Sequence, residues 1–417
     1  MIPTVEVFTK LPGFAHEIEV GKCRFSLRRG KISCMFSYSD VYLSTKGAYA
    51  IDPSLPLRAA AYHCEGLPGA MRDSAPDRWG RHLIDRRNIA LSMSGASPAH
   101  TLDEIDYLLG VYDKARQGAL RYSMPGSDVR ESPAGDVPPV LELKRLLNAS
   151  NEIARGNDGI NQVKQLLDAG SGSLGGARPK ASVVDEGKLL LAKFSHPGDE
   201  WDVMAWEKTA LDIAALAGIA VPATKIVRAG DSTALLLERF DRVASSENGE
   251  RLPYISAMTL VGAKDGETRD YVDVADALPY WVNDASAQLA ALFRRVALSV
   301  ALNNTDDHLR NLGLVRVGDG WGFSPAFDIN INPDTSHRRV TAIYGDTGVV
   351  EKATLDAFAK ACGLKPEVAC GITSEVLAAT DKWRTLAKKN GCSESECNLM
   401  SSALLAGRDA LSCFLSS

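Results

Sequence analysis

The chain lacks any C-x-x-C pair among its eight cysteines, Cys23, Cys34, Cys64, Cys362, Cys370, Cys392, Cys397 and Cys413. That absence removes the common zinc-finger and dithiol frameworks, and reduced thiols in a cytoplasm are the simplest account. Cys392 and Cys397 lie close together, but no second ligand pair follows at metal-binding spacing, so ordinary semi-buried cysteines are favoured over metal ligands. No apolar run approaches the ~18 residues of a membrane span. The longest tempting segment, Val296 to Leu302, abuts the polar Asn303-Asn304. The start, Met1-Ile2-Pro3-Thr4-Val5-Glu6, has neither the basic nor the apolar region of a signal peptide, so a cytoplasmic location without a membrane partner is expected. No internal repeat is visible. A net charge of −5 argues against strong nonspecific nucleic-acid binding by this chain alone.

What is present is the composition of a soluble globular protein: 45% hydrophobic and 24% charged over 417 residues, enough for two or three lobes with substantial cores. Residues 1–122 alternate short strand-like runs with turns, such as Gly21 to Leu27, and become helical from about Arg72. Residues 123–139 are rich in Ser, Pro and Gly and read as a linker. Residues 140–240 read as a small mixed α/β lobe. It holds short amphipathic helices at Val140 to Leu147 and Gly159 to Ala169, strands at Leu189 to Phe194, Thr224 to Val227 and Ala234 to Leu237, and a helix from Val203 to Ala217 with Gly218 as its C-cap. Residues 241–417 turn mainly helical, with a strand-like run, Leu312-Gly313-Leu314-Val315, after the Asp306 loop. Leu289 to Leu302 is a strong helix candidate, and Leu355 to Leu415 holds several helical stretches and no convincing strand.

The most informative stretch follows that helix. Asp306 stands five residues before Asn311, and Asp328 comes 17 residues later, after Ser324-Pro325-Ala326-Phe327. Phosphoryl transfer from a magnesium nucleotide needs this order: one carboxylate to accept the proton of an acceptor hydroxyl, then an amide and a second carboxylate as hard oxygen ligands. D-x4-N alone is a weak pattern that also fits a polar loop capping its own turns. His308 can contact phosphate or orient the loop, and as a lone histidine it reads first as a structural hydrogen-bonder. Asp307 reads as solvated.

Three further stretches complete a nucleotide site. Ser171-Gly172-Ser173-Leu174-Gly175-Gly176-Ala177-Arg178-Pro179-Lys180 has the small residues that let backbone N–H groups reach phosphate oxygens, with Arg178 or Lys180 adding charge. It is neither a Walker A loop nor a dinucleotide fingerprint, and a flexible turn explains it about as well. Lys193, inside the apolar run Leu190-Leu191-Ala192-Lys193-Phe194, is costly to bury unless its ammonium meets an anion, and in kinase-like folds the strand lysine meets nucleotide phosphates. The alternative is an edge strand with Lys193 reaching to water. Glu207 is a candidate partner for Lys193, with a surface glutamate nearly as good a reading. Leu235-Leu236-Leu237-Glu238-Arg239-Phe240 suits a hinge whose Glu238 and Phe240 backbone groups can meet adenine, or an ordinary strand end.

Taken in order, these motifs resemble the HipA family, the serine/threonine kinase toxins of bacterial type II toxin–antitoxin modules. The resemblance covers nearly the whole chain. Gly66-Leu67-Pro68-Gly69, Asp73-Ser74-Ala75-Pro76-Asp77-Arg78-Trp79-Gly80-Arg81 and Asp106-Tyr107-Leu108-Leu109-Gly110 are similar to the family's N-terminal subdomain. Gly176-Ala177-Arg178-Pro179-Lys180-Ala181, Glu238-Arg239-Phe240-Asp241-Arg242, Thr305-Asp306-Asp307-His308-Leu309-Arg310-Asn311 and Pro325-Ala326-Phe327-Asp328 match its kinase motifs in order. The segment Tyr254-Ile255-Ser256-Ala257-Met258-Thr259 departs from the acidic, Gln-rich sequence of the founding member, which bears on the acceptor.

The resemblance implies an α+β, bilobal protein-kinase-like fold with an extra N-terminal α/β subdomain (1–122), a linker (123–139), an N-lobe (140–240) and an all-helical C-terminal lobe (241–417). It implies Asp306 as catalytic base. It assigns ATP to Lys193, Ser173, Leu174, Gly175, Gly176, Lys180, Glu238, Phe240, His308, Asn311 and Asp328, and Mg2+ to Asn311 and Asp328. Ser173 occupies the place of the family's inhibitory autophosphorylation serine, where a phosphate would add roughly −1.5 to −2 charges and repel ATP. The implied partners are a HipB-like helix-turn-helix antitoxin, operator DNA mainly through that antitoxin, and a translation substrate of the aminoacyl-tRNA synthetase class, with glutamyl-tRNA synthetase the family precedent. Two other readings stand beside it: a non-catalytic co-repressor that docks the antitoxin, and a small-molecule kinase, which shares a D-x-H-x-x-N loop but would carry a large acidic acceptor insert that this chain lacks.

Overall fold

The computed structural model describes residues 3–415 except 29–30, 96–97, 99, 128–136, 158, 172–177, 230–231, 244–249 and 349. The chain is α+β and forms two compact units. The first comprises Met1–Gly198 and Arg228–Ile255, the second Asp199–Val227 and Ser256–Ser417.

In the first unit, strands β1 (Thr4–Thr9), β2 (Ile18–Arg28), β3 (Lys31–Tyr38), β4 (Ala61–Glu65) and β5 (Arg121–Ser123) form an antiparallel sheet of order β4-β3-β2-β1-β5. The period-2 rule shows in β1, where Val5, Val7 and Thr9 point into the core and their neighbours do not. Helices Arg78–Met93 and Glu104–Gly110 follow. Asp77 starts the first of them by accepting the Gly80 N–H at 2.8 Å, and Asp103 and Asp106 form a reciprocal capping box on the second.

The same unit holds β6 (Lys180–Asp185) and β7 (Lys188–Phe194), joined by Glu186-Gly187. Both turn residues have positive φ, 48° and 77°. That is the two-residue turn whose twist suits a hairpin, with glycine where the left-handed backbone costs least. The turn sets the register, so Lys180 lies opposite Lys193 on one face of the pair. β8 (Thr224–Ala229) straddles the two units, and β9 (Ser232–Glu238) pairs antiparallel with β7, Leu190 opposite Glu238.

The second unit is built around helix Ala285–Ala301, whose Leu292, Phe293, Val296, Ala297 and Val300 are buried. Helices Pro366–Thr380 and Glu394–Leu415 pack on it. At one crossing the backbones come so close that a Cβ at Gly407 would collide with the carbonyl oxygens of Val300 and Ala301. Helix Val203–Leu216, expected in the small lobe, belongs to this unit and packs against Pro366–Thr380 and Trp383–Lys389. The reason is its composition: buried residues on several faces, including Trp206, Leu211 and Ile213, need cover from more than one direction. The C-terminal region, expected to be mainly helical with a strand-like run at Leu312 to Val315, is helical from Lys352 onward. Before that it carries a hairpin, Gly313–Val317 with Gly320–Phe323, and a short parallel pair, Arg269–Asp270 with Thr341–Ala342.

Candidate active site

The Asp306 loop begins where its helix is made to stop. Asn303 takes the left-handed conformation, φ 47°. Its N–H bonds Val300 O at 3.1 Å and the Asn304 N–H bonds Ser299 O at 2.9 Å. These two bonds are a Schellman motif, with asparagine in the place glycine more often takes. The Asn303 side chain donates to Asn332 O at 2.7 Å, which ties the turn to the segment after Asp328.

The two carboxylates that follow this turn, Asp306 and Asp307, face opposite ways. Asp306 is exposed. Its carbonyl accepts the His308 N–H at 3.0 Å and the Asn311 side-chain N–H at 3.4 Å. Asn311 is buried, and because its Nδ2 is engaged its Oδ1 is left as an acceptor. Asp328 also has positive φ, 58°, which for a carboxylate-bearing residue after Pro-Ala-Phe is a strained backbone of the kind found where function demands a particular direction. A hard amide oxygen and a carboxylate on such a constrained turn fit a magnesium site in chemistry. His308 Nδ1 is buried with no hydrogen-bond partner among the described residues.

Asp307, expected to be solvated, is instead turned into the protein. Its carboxylate accepts the Tyr271 hydroxyl at 2.6 Å, and burial pushes its carboxyl above the ordinary range against the opposing pull of that bond, His308 and Arg339. It lines a cavity of about 30 Å³ with Arg295, Ser299, Asn304 and Asn311, room enough for water. Burial lowers the Arg295 guanidinium to about 10. Arg339, also buried, bonds Ser299 Oγ at 3.1 Å and Asn304 O at 3.2 Å.

In the first unit, Lys193 is buried on β7. Lys180, opposite it, is also buried, and its ammonium is 2.8 Å from Asp77 Oδ2. Asp77 therefore caps a helix with one oxygen and holds a strand lysine with the other, which joins two of the sequence motifs. Ser171 donates its hydroxyl to the Lys180 carbonyl. Ser173, Leu174, Gly175 and Gly176 lie outside the described residues. Glu238 meets Lys188 at 2.9 Å near the surface, and Phe240 packs on Tyr254 with ring centroids 6.1 Å apart. Glu207, read as either a partner or a surface residue, is buried.

Asp241, three residues past β9 and within the Glu238–Arg242 motif, has a role the sequence did not suggest. It is buried and accepts from Arg239 Nε at 2.7 Å, Arg242 Nη1 at 2.9 Å and the Gly118 N–H at 2.7 Å. Burial alone would raise its carboxyl, but the arginines outweigh burial and hold it well below the usual range. Arg239 also reaches Ala115 O at 2.9 Å, Arg242 reaches Arg116 O at 2.7 Å, and Arg251 reaches Asp113 at 2.9 Å. The motif thus clasps segment 113–118. Tyr271 and Arg339 lay in no motif, and nothing in their surroundings in sequence marks them.

Among the described residues no helix is long and apolar enough to cross a membrane. No curated relative matches the chain by sequence. A solved HipA of Shewanella oneidensis MR-1, in a complex with HipB and its operator DNA, is similar over 99% of this chain and 97% of its own, at 15% identity and TM-score 0.67. The proinflammatory kinase CtkA of Helicobacter pylori is similar over 58% of this chain and 92% of its own, at 13% identity and TM-score 0.45. The HipA N-terminal domain model matches residues 14–107, and the HipA-like C-terminal domain model matches residues 172–383, just over half of the chain. With the two domain models met in order, this chain belongs to the HipA family.

Proposed function

We propose that the chain is an ATP- and Mg2+-dependent protein serine/threonine kinase that acts as the toxin of a toxin–antitoxin module. The observation that carries this reading is the division of labour in the Asp306 loop. An exposed carboxylate stands on a backbone that also orients the Asn311 amide, and Asp328 follows on a constrained turn. Asp306 would accept the proton of an acceptor hydroxyl as its oxygen attacks the γ-phosphorus. Asn311 and Asp328 would hold magnesium, which when bound neutralises phosphate charge. Lys193 would meet the ATP phosphates, and the Glu238 and Phe240 backbone the adenine.

The acceptor would be a component of translation, glutamyl-tRNA synthetase being the family precedent, and Ser173 a site of inhibitory self-phosphorylation. A HipB-like, DNA-binding antitoxin would restrain the toxin and carry it to operator DNA. The similar Shewanella protein was solved with such a partner, and the acidic net charge of this chain fits a DNA contact made mainly through the antitoxin.

The test is transfer of the γ-phosphate of ATP to cell protein and to the chain itself. Asp306→Asn should lower transfer by roughly 10²- to 10⁴-fold and relieve growth inhibition, and Ser173→Ala should remove phosphate from the chain. Transfer and growth inhibition that survive Asp306→Asn would overturn the kinase reading.

A further inference from the structure

Asp306 has no hydrogen bond to its side chain among the described residues, so its direction is set by the backbone that carries it. That backbone is pinned on both sides. Before Asp306, the Thr305 carbonyl accepts the Val340 N–H at 2.9 Å and the Thr305 hydroxyl accepts from Asn332 Nδ2 at 2.8 Å. After it, the Asp307 carbonyl accepts the Thr341 hydroxyl at 2.7 Å, and the Tyr271 hydroxyl lies 2.6 Å from the Asp307 carboxylate and 3.3 Å from the same carbonyl.

Tyr271 is itself immobilised. It is buried at the start of helix Tyr271–Ala277, behind the N-cap Asp270, whose reciprocal capping box with Asp273 fixes the first turn. Asp270 pairs with Ala342 and Arg269 with Thr341 in the short parallel ladder. The Asp270 carboxylate also accepts the N–H groups of Tyr344 and Gly345, which holds Tyr344 in a left-handed backbone, φ 49°, that a bulky residue rarely adopts. The helix start, the 339–345 segment and the catalytic loop are therefore one braced piece. The only side chain of that helix start to reach the loop's carboxylate is Tyr271, among the described residues.

We infer that Tyr271 is a positioning residue for phosphoryl transfer, acting through Asp307 to fix the backbone on which Asp306 stands. The inference rests on the kinase reading of Asp306. Asp307 is the lever because it is the neighbour that points inward while Asp306 points out. A loose Asp307 frees the peptide that aims Asp306, and a shift of about 1 Å in a reacting group can cost on the order of 10²-fold in rate. Nucleotide affinity should be spared, because among the described residues Tyr271 has no hydrogen bond or ring contact with one assigned to ATP.

The experiment uses the purified full chain with ATP, Mg2+ and dephosphorylated casein as a generic acceptor. Rates are scaled to the number of chains that bind a fluorescent nucleotide, so that unfolded protein is not counted. Tyr271→Phe, which keeps the buried ring, should lower kcat by about 10- to 100-fold with KM for ATP within about twofold. Thr341→Val, on the other anchor of Asp307, should move kcat the same way by less. In an Asp307→Ala background, Tyr271→Phe should change kcat by less than about twofold.

A wild-type kcat for Tyr271→Phe, or a fall matched by lost nucleotide-binding chains, would overturn the inference. So would losses that multiply independently in the double variant. Asp306→Asn run alongside separates the two claims. If it transfers phosphate like the wild type, the kinase reading fails. If it is inactive while Tyr271→Phe is fully active, only the positioning role fails.

Discussion

Asp241 in the first unit and Asp307 in the second are both aspartates drawn out of water, and the protein treats them in opposite ways. Asp241 is surrounded by Arg239, Arg242 and a backbone N–H, which hold its carboxyl far below the ordinary range. Asp307 takes its side-chain hydrogen bond from the Tyr271 hydroxyl, and burial holds its carboxyl above that range despite His308, Arg339 and Arg295 nearby. The first arrangement is a rivet: a full charge matched by full charges, costly to break from either side. The second is a hydrogen-bonded fastening in which burial outweighs the nearby cations. A joint between segments can be as strongly charged as its partners allow.

The contrast would be broken most clearly at Asp241. Asp241→Ala strands Arg239 and Arg242 in the interior and should cost about 3–5 kcal/mol of unfolding free energy, measured by denaturant melts. A cost below about 1 kcal/mol would mean the arginines are already satisfied by the carbonyls of segment 113–118. The same residue predicts a pH effect. A carboxyl whose folded pKa lies below its unfolded value of about 3.9 stabilises the fold above that value, and this stabilisation is lost as pH falls through the range below it. Stability should therefore decline below about pH 4, and Asp241→Asn should flatten that decline.

A smaller loss is expected at Lys180, where Asp77 keeps the Gly80 N–H after its ammonium partner is gone. Lys180→Met should cost about 1–3 kcal/mol, again by denaturant melts, and should leave helix content unchanged by circular dichroism. The smallest effect belongs to Asp307→Asn. The amide still accepts from Tyr271 and carries no charge to bury, so stability should change by less than about 1 kcal/mol. A large destabilisation there would show that Asp307 is held charged by Arg295 and Arg339, and the contrast with Asp241 would collapse.

The sequence was most legible where local rules act alone. The strand at 188–194 follows from its apolar run, the helix 203–216 from its apolar spacing, and the end of helix 285–301 from Asn303-Asn304, whereas strand 180–185 and its Glu186-Gly187 turn were not read. The order Asp306, Asn311, Asp328 is legible in the sequence, but the direction of Asp306 is not, since it depends on bonds from Val340 and Thr341, more than thirty residues away. Asp307 was misread because a D-D-H stretch looks polar throughout, and only tertiary contact decides which carboxylate turns inward. Lys180 and Asp77 were each singled out in separate motifs. Their pairing across 103 residues has no local signature, because opposite charges are common and only folding brings these two together.

The Schellman turn at Asn303 makes helix Ala285–Ala301 a ruler with a fixed zero. Asp306 comes three residues past that stop, so its bearing is reckoned from the helix's last turn. A residue inserted or deleted within the helix would rotate everything beyond it by about 100° and displace it by about 1.5 Å along the axis. Gly407 locks the phase from the other side, where a neighbouring backbone fits against Val300 and Ala301 only at one rotation. Length variation should thus be confined to the surface turns of this unit, such as Gly318-Asp319, and barred from the seventeen residues that measure out the catalytic loop.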